Sequence, residues 1–394
     1  MSASALRAPA AALTLILMTA GSTASSSLFV AYRAQWGISS ADIAIVFSAY
    51  VGTLLPVLLL FGNFAERFGR RRMAVAGILA MAIGLTVLTL AHGLAWLIIA
   101  RLFQGAGVGL SIGAVTAALA ESYHGKLPTG NALQSVAAIG LFTGPVISAI
   151  AFNLGGGVNW SYLPTLALVI ALLALAPLLA ERTGDAGTAA TVEVPYPPAT
   201  VAAALRYALP LVFVSWAGLA LYLSLVPAYL AATLHALNPA VGAAAIVAAQ
   251  LTSLLTTLRL GNIAPERSGV VGAAGVVGGL ALLVIGTSTN VWALVVLATL
   301  LVGAGGGVAS AAGFGLAGRI GRGQRARIFG RLYVAAYAGY SIPALAIGII
   351  AAHTSFGVAF VAVIAVLAAV AAALPWLRER PAAPARAAAC TAAA

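Results

Sequence analysis

A short charged turn, GNFAERFGRRR at residues 62–72, separates two long apolar runs of the chain. It carries one glutamate, four arginines and two glycines. So many charged side chains cannot lie together inside a bilayer, where each would need a partner or a path to water. The pattern therefore predicts a tight, positively charged turn at one face of a membrane, with a spanning helix on each side.

The composition of the whole chain supports a membrane protein. Its 394 residues are 62% hydrophobic and only 7% charged, with a mean hydropathy of +1.07. A soluble domain could not cover its surface with so few charges. Apolar runs of about 20 residues recur, each long enough to cross the hydrocarbon core as a helix. Because alternating strand patterns are missing, we predict an all-α polytopic membrane protein.

The apolar runs predict twelve transmembrane helices in two pseudo-symmetric six-helix bundles. The predicted spans are 9–33, 41–61, 73–92, 95–121, 129–153, 159–180, 206–233, 240–260, 269–288, 291–317, 328–352 and 356–377. The longest polar segment, 181–205, has three prolines and no apolar periodicity. We interpret it as a cytoplasmic linker between bundles at 1–180 and 206–377, with a cytoplasmic tail at 378–394.

The distribution of basic residues predicts the orientation of these spans. A net charge of +12 would suggest nucleic acid as the partner of a soluble protein, but here the arginines lie between apolar runs, and we expect no nucleic-acid partner. With the N-terminus inside, 18 of the 20 basic residues are cytoplasmic or at cytoplasmic helix ends, and only Arg33 and Arg101 are not. We therefore expect a multi-pass protein of the cell's inner (plasma) membrane, monomeric in its lipid bilayer, with both termini cytoplasmic.

An internal repeat also indicates two related halves. The turn at 62–69 is echoed at 261–269, GNIAPERSG, with one inserted residue. The glycine-rich piece at 104–109 in the fourth span is echoed at 302–307 in the tenth. Since six spans separate the copies, the two halves are expected to run in the same orientation.

The turn at 62–72 resembles the signature loop of the major facilitator superfamily, G-x-x-x-D-R-x-G-R-R/K, with Glu66 in place of the usual aspartate. The resemblance implies that two halves rock about a central path to move a small-molecule substrate. It also implies that the acid and the arginines hold the halves closed on the cytoplasmic side. The gate residues predicted in this way, with Glu121 at the inner end of the fourth span, are Gly62, Glu66, Arg67, Gly69, Arg70, Arg71 and Glu121. Alternatively, the arginines only anchor the loop to anionic lipid.

Two further motifs resemble those of the same family. Arg101-Leu-Phe-Gln104-Gly resembles its fourth-helix R-x-x-Q-G motif, whose arginine is linked to proton transfer in proton-coupled members. An arginine inside a span costs about 2.5–3.5 kcal/mol, so it must face a cavity or a partner, unless it snorkels to the outer headgroups. Gly140, Gly144 and Pro145 resemble the G-x-x-x-G-P centre of a motif found mainly in exporters, although close helix packing alone would explain them.

Polar residues inside the spans predict the wall of a central cavity. The residues expected there are Ser22, Ser26, Tyr222, Gln250, Tyr333, Tyr337 and Tyr340, and each of them could instead be a satisfied contact between helices. None of the eight acidic residues lies in the middle of a span. We predict that Asp42, at the outer start of the second span, meets Arg101 or Arg33, and that these residues with Gln104 serve proton coupling and substrate binding.

The chain shows no sign of an enzyme. It has no phosphate-binding G-x-x-x-x-G-K-[ST] sequence and no Cys/His cluster, so we expect neither a cofactor nor a metal. The resemblance, which is to the drug–proton antiporter branch, implies a proton-coupled exporter of a small amphipathic compound working by alternating access. The lack of an acid in the middle of any span favours a neutral, anionic or zwitterionic compound over a bulky cation. The alternatives are an importer of a sugar, organic acid or metabolite, and a non-transporting receptor or scaffold on the same fold.

Overall fold

A computed structural model of the chain describes residues 3–61, 68–122, 129–179, 197–260, 265–320 and 325–377. Within these ranges eleven helices are long and apolar enough to cross a membrane, and a shorter apolar helical segment, Leu163–Leu179, lies where the sixth span is predicted. The helices are Ala3–Thr23, Phe29–Trp36, Ser40–Phe61, Arg70–Thr89, Leu94–Ser122, Thr129–Ala151, Gly157–Trp160, Leu163–Ala171, Pro198–Ser224, Val226–Leu234, Pro239–Leu260, Pro265–Ser288, Trp292–Ile320, Arg325–His353 and Phe356–Leu377. The predicted all-α polytopic fold is confirmed.

The helices pack in the same way in both halves. The fourth span contacts the first, second and third, and the tenth correspondingly contacts the seventh, eighth and ninth. The two halves meet where the second span contacts the eleventh and where the fifth contacts the eighth. The pseudo-symmetry of the sequence repeat therefore has a counterpart in the pattern of helix contacts.

Glycines set the closest helix contacts of each half. A Cβ atom built on Gly77 of the third span would lie 2.6 Å from the carbonyl oxygen of Gly107 in the fourth. The matching pair in the second half is Gly272 and Gly305, where the corresponding distance is 2.8 Å. Because any side chain would push these backbones apart, only glycine permits this approach. The glycine-rich pieces repeated in the sequence are thus equivalent packing surfaces.

The first and seventh spans are broken, whereas the sequence predicts continuous helices there. The first helix ends at Thr23, and the chain passes through a 3₁₀ turn, Ser26–Leu28, before the next helix begins. The hydroxyls of Ser22 and Thr23 both donate to the carbonyl of Thr19, at 2.8 and 3.1 Å, and such local bonds bend helices. In the seventh span the helix ends at Ser224, just before Pro227, which has no backbone N–H to continue it.

The seventh span also begins earlier than predicted, at Pro198 rather than near 206. Val201, Leu205, Ala208 and Val212 are buried along one face of this helix, where they pack in a cluster that includes Phe314. Their spacing of four, three and four residues is a helical stripe. Residues 198–205, which were predicted to be a linker without apolar periodicity, are therefore helical and show that periodicity.

The two ends of the bundle differ in how the halves meet. We call the closed end the one where the second, fifth, eighth and eleventh spans have Ser40, Asn153, Asn238 and Gly348. There the Asn238 amide donates to Asn153 Oδ1 at 3.2 Å, and Gly348 packs against the Ser40 backbone. The opposite end, with Arg70–72, Arg259 and Arg267, is called the basic end. The contacts at the closed end join one half directly to the other.

Candidate functional site

A cavity lies between the two halves, and about 1100 Å³ of empty space, part of it open solvent at the mouth, lies within its walls. Its polar and aromatic lining residues are Thr19, Ser22, Tyr50, Ser135, Trp216, Gln250, Ser253, Thr257, Ser310, Tyr333, Tyr337 and Tyr340, and Leu, Ile, Val and Ala side chains complete the wall. Among the described residues, none that lines it is charged. All lie in the middle of their spans or toward the basic end. The cavity therefore extends from the centre of the bundle toward the basic end.

Aromatic rings form the side of the cavity contributed by the seventh and eleventh spans. The Trp216 ring meets Tyr337 edge to face, with centroids 5.2 Å apart, and meets Tyr340 at 6.4 Å. Tyr333 continues the row at 6.4 Å from Tyr337. Tyr340 also stacks on Phe47 of the second span at 4.4 Å. Such rings offer large, rigid apolar surfaces to a bound molecule.

Polar side chains follow one face of the eighth span. Gln250, Ser253 and Thr257 are spaced by three and four residues and all line the cavity. The Thr257 hydroxyl donates to the carbonyl oxygen of Gly307 at 3.2 Å. Gln250 is only 2% exposed, and its amide Nε2 is buried with no hydrogen-bond partner among the described residues. This stripe adds polar groups to a cavity whose wall is mostly apolar.

Arg101 lies beyond the deep end of this cavity, on the side of the closed end. Its side chain is 2% exposed. Nη1 donates to the carbonyl oxygen of Ser22 and, at 3.2 Å, to Oε1 of Gln104, whose Nε2 donates to the carbonyl of Gly21 at 3.0 Å. Gly21 and Ser22 are in the last turn of the helix that ends at Thr23, where carbonyl groups lack helical partners and the helix dipole is negative. The R-x-x-Q pair thus caps the break in the first span with a positive charge.

Aromatic faces surround the Arg101 guanidinium. Its Cζ lies 5.9 Å from the ring centre of Phe29, 5.8 Å from Phe47 and 5.9 Å from Tyr50. These distances allow cation–π attraction, which compensates part of the cost of burying the charge. Tyr50 also lines the cavity, so one layer of side chains separates the guanidinium from it. Sequence reasoning missed Tyr50, although its spacing of three from Phe47 gave the signal of a shared helix face.

The structure keeps Asp42 and Arg101 apart, whereas the sequence analysis expected them, or Asp42 and Arg33, to meet. The Asp42 carboxylate accepts hydrogen bonds from the Ser39 N–H and hydroxyl, both at 2.7 Å, and the Asp42 N–H donates back to the Ser39 hydroxyl at 3.1 Å. This reciprocal pair is a capping box at the start of the second span. Arg33 donates instead to the Ser40 hydroxyl at 3.2 Å and lies over the Phe356 ring at 5.5 Å.

Two of the residues predicted to line the cavity lie elsewhere. The Tyr222 hydroxyl donates to Thr299 at 3.1 Å, between the seventh and tenth spans. Ser26 is buried in the break of the first span, and its hydroxyl has no partner among the described residues. The other five predicted residues line the cavity. Polarity identified the right spans, but the rotation of each helix decides which polar residue reaches the cavity.

The G-x-x-x-G-P residues join the first span to the fifth. A Cβ atom built on Gly140 or Gly144 would come closer than 3.0 Å to the backbone of Ile16 or Ala20. The Ser27 hydroxyl, in the break of the first span, donates to the Pro145 carbonyl at 3.0 Å. The predicted export motif therefore packs against the same broken span that Arg101 caps.

Of the predicted gate residues, Gly62, Glu66, Arg67 and the side chain of Glu121 lie outside the described residues. Gly69 has a φ of 87°, a left-handed conformation that favours glycine, and the third helix begins immediately after it. Arg70 and Arg71 thus lie in the first turn of a helix, where the dipole disfavours positive charge. Groups that stabilise these two charges must therefore lie outside this helix.

A family model described as the Major Facilitator Superfamily matches residues 11–272, more than half of the chain. The chain belongs to this superfamily. This membership places the chain in a family of membrane transporters, which are not enzymes. Solved structures agree with this fold: a bacterial homolog of the human lysosomal transporter Spinster aligns with 97% of this chain and 100% of its own, at a TM-score of 0.71 and 14% identity. A mutant of the nucleoside transporter NupG aligns with 95% and 100%, at 0.69 and 13%.

Curated relatives of this superfamily member share part of its sequence. The Multidrug resistance protein B homolog of Mycobacterium tuberculosis is 29% identical over 163 residues, which cover 40% of this chain and 29% of that protein. The Lincomycin resistance protein of Streptomyces lincolnensis is 29% identical over 153 residues, covering 39% and 32%. The chain thus spans less than a third of the length of these relatives.

Proposed function

We propose that this superfamily member is a proton-coupled exporter of a small amphipathic compound that is neutral, zwitterionic or anionic. The observation that carries the proposal is the aromatic cavity between the halves, whose lining carries no charged side chain among the described residues and whose deep end is closed by the side chains around Arg101. A cavity without an acidic side chain offers no counter-ion to a bulky cation. The names of the relatives matched in part, for multidrug and lincomycin resistance, support export as the direction.

In this proposal the structure represents a state open to the cytoplasm. The positive-inside pattern puts the basic end in the cytoplasm, and the cavity extends toward that end. The Spinster homolog that shares the fold was solved in an inward-facing, unoccupied conformation. Export would then begin with capture of the compound from the cytoplasm, and release would require separation of the contacts at the closed end. The hydrogen bonds of Arg101 to the first span hold the side chains between the cavity and the closed end in place.

In the same proposal, Asp42 and Arg101 have separate roles in proton coupling, since they do not contact each other. Deprotonated Asp42 stabilises the start of the second span, next to the place where Ser40 contacts Gly348 of the other half. Protonation removes the negative charge from this helix N-terminus and weakens the capping box. The closed end then loosens when a proton arrives from outside, while Arg101 holds the first span.

The replacement Asp42→Asn tests this coupling role. We expect it to remove the dependence of transport on the proton gradient while the protein stays folded, because an amide can still accept a capping bond but cannot titrate. Ser39→Ala is the matched control, since it removes a partner of the cap but leaves the acid. Proteoliposome transport is measured with and without an imposed pH gradient. Gradient-driven transport by the asparagine variant at the wild-type rate would exclude Asp42 as the coupling group.

Export itself is tested in cells that express the protein. We expect them to accumulate less of a fluorescent amphipathic compound than cells with an empty vector, and collapse of the proton gradient should abolish the difference. Higher accumulation in the expressing cells would indicate import, the alternative direction. Equal accumulation for every compound in a broad panel would favour the non-transporting receptor or scaffold.

The two halves are expected to contribute unequally to a cytoplasmic gate. The first-half turn has three consecutive arginines, whereas its echo at 261–269 has only Arg267. Arg70 is half-buried and Arg267 is exposed, so removal of Arg70 disturbs more contacts. We expect Arg70→Ala to reduce transport far more than Arg267→Ala, measured as efflux per folded transporter. Equal losses in the two variants would contradict the asymmetry.

A further inference from the structure

We infer that Gln250 is the polar anchor of the cargo, and that the cargo is an uncharged, flat aromatic compound with a carbonyl or similar acceptor at its edge. The inference rests on the proposed transport function and specifies its substrate class. It depends on three features of the cavity: an amide without a partner, a wall of aromatic rings, and the absence of charge from the described lining residues. Each of them restricts the chemistry of the molecule that fits.

The amide nitrogen of Gln250 has no hydrogen-bond partner among the described residues. It lies in the middle of Pro239–Leu260, lines the cavity, and has its Nε2 buried without a hydrogen bond among the described residues. Gln104 of the fourth span differs from Gln250 in this respect. Its Oε1 accepts a hydrogen bond from Arg101, and its Nε2 donates one to the Gly21 carbonyl. A buried amide N–H without a hydrogen bond lowers the stability of the protein. Where such an amide borders a cavity, a molecule in the cavity can supply the missing acceptor.

The rings contributed by the seventh and eleventh spans favour a flat aromatic ligand. Trp216 and Tyr337 meet edge to face, as do Tyr337 and Tyr340 at 6.2 Å, so the row presents both ring edges and ring faces. An aromatic ligand can stack on the faces and meet the edges in the same preferred geometries. Aliphatic or strongly hydrated molecules would gain less from this wall.

The electrostatics of the cavity favour a ligand without net charge. The nearest guanidinium, Arg101, is not among the lining residues; its Nη1 bonds the Ser22 carbonyl and Gln104, and three aromatic faces surround it, although its Nε has no partner among the described residues. An anionic group would therefore lose its water without gaining a cation on the wall, and a cationic group would gain no carboxylate. An uncharged acceptor costs less to desolvate and is satisfied by one amide donor.

Three anthracene probes of similar size test this inference on the purified protein in lipid nanodiscs. They are anthracene-2-carboxamide, anthracene-2-carboxylate and 2-methylanthracene, and their fluorescence reports binding. We expect the carboxamide to bind about tenfold more tightly than the methyl compound, which is the effect of one hydrogen bond to a buried amide, and more tightly than the carboxylate. Tighter binding of the carboxylate, or no measurable binding of the carboxamide, would overturn the inference.

The variant Gln250→Leu assigns the effect to the amide. We expect it to weaken carboxamide binding about tenfold, leave methylanthracene binding unchanged, and not lower the Tm, because the amide nitrogen has no hydrogen bond to lose within the part of the chain that the structure describes. Gln104→Leu is the control for a glutamine with a structural role and should lower the Tm. Wild-type affinity of Gln250→Leu for the carboxamide would contradict the anchor role, even if Trp216→Ala weakens all three probes.

Transport and binding fail in distinguishable ways. If the carboxamide binds with the expected dependence on Gln250 but expressing cells do not expel it, the binding site stands and the export proposal fails. If cells expel the carboxamide and Gln250→Leu expels it equally well, export stands and the anchor is refuted. Expulsion that is lost in Gln250→Leu, with loss of binding, supports both.

Discussion

Replacing Arg101 with alanine is expected to reduce transport on the order of 100-fold, because two hydrogen bonds from a charged donor disappear. The carbonyl of Ser22 and Oε1 of Gln104 lose their donor, and the end of the helix at Thr23 loses the positive charge that caps it. The first span then no longer has a fixed break against the fourth. Efflux from cells or proteoliposomes, normalised to folded protein, measures the loss.

Two substitutions control this experiment. Arg101→Lys keeps the charge but presents a point donor in place of the planar fork, so we expect partial transport. Arg33→Ala removes the other arginine predicted to face away from the cytoplasm, whose Nη1 bonds the Ser40 hydroxyl near the surface, and should cost a few-fold at most. Wild-type transport by a folded Arg101→Ala protein would refute the mechanism and leave the fold untouched.

Gly144→Ala is expected to have the second large effect. Its new methyl group would collide with the Ala20 backbone, and backbone atoms of a packed span cannot move aside as a flexible side chain does. Overpacking of this kind costs about 1–3 kcal/mol, so the Tm should fall. Transport should fall with it, because the fifth span supports the broken part of the first. Thermal unfolding in detergent and efflux of the same fluorescent compound provide the two measurements.

Other helical glycines provide the matched controls for Gly144. A Cβ atom on Gly52 or on Gly278 has no neighbour within 4 Å, and both residues are exposed. Alanine at these positions lowers the conformational entropy of the unfolded chain and introduces no steric clash, so the Tm should stay the same or rise slightly. An equal fall in Tm for Gly52→Ala and Gly144→Ala would mean that close packing does not explain the motif.

The arrangement of spans could be predicted because it depends on local properties of the chain. Ser40–Phe61 and Phe356–Leu377 begin and end within one residue of the predicted spans, since hydropathy and turn signals define both ends. The start at Pro198 was missed because the polar residues of 181–196 concealed the apolar stripe that follows. The break after Thr23 was missed because serine and threonine side chains are compatible with both a helix and a bend.

The candidate site was only partly predictable, and Arg101 illustrates why. Its cost inside a span showed that it must have a partner, but the nearest acid in the predicted topology, Asp42, was not that partner. The partner is the Ser22 carbonyl, 79 residues away in the sequence, which is free only because the first helix ends there. A backbone carbonyl carries no signal in the residue types, so no spacing rule could indicate it.

The sequence by itself determined that the chain forms a series of membrane-spanning helices, that its halves are related, and which superfamily motifs it carries. These properties follow from hydropathy, from repeated glycines and from the charged turn at 62–72, all of which act within one segment. Only the tertiary structure decided that Gln250 and Tyr337 face the cavity while Tyr222 does not, and that Arg101 caps the first span. These facts depend on the rotation of each helix and on where it breaks, which packing against distant spans sets.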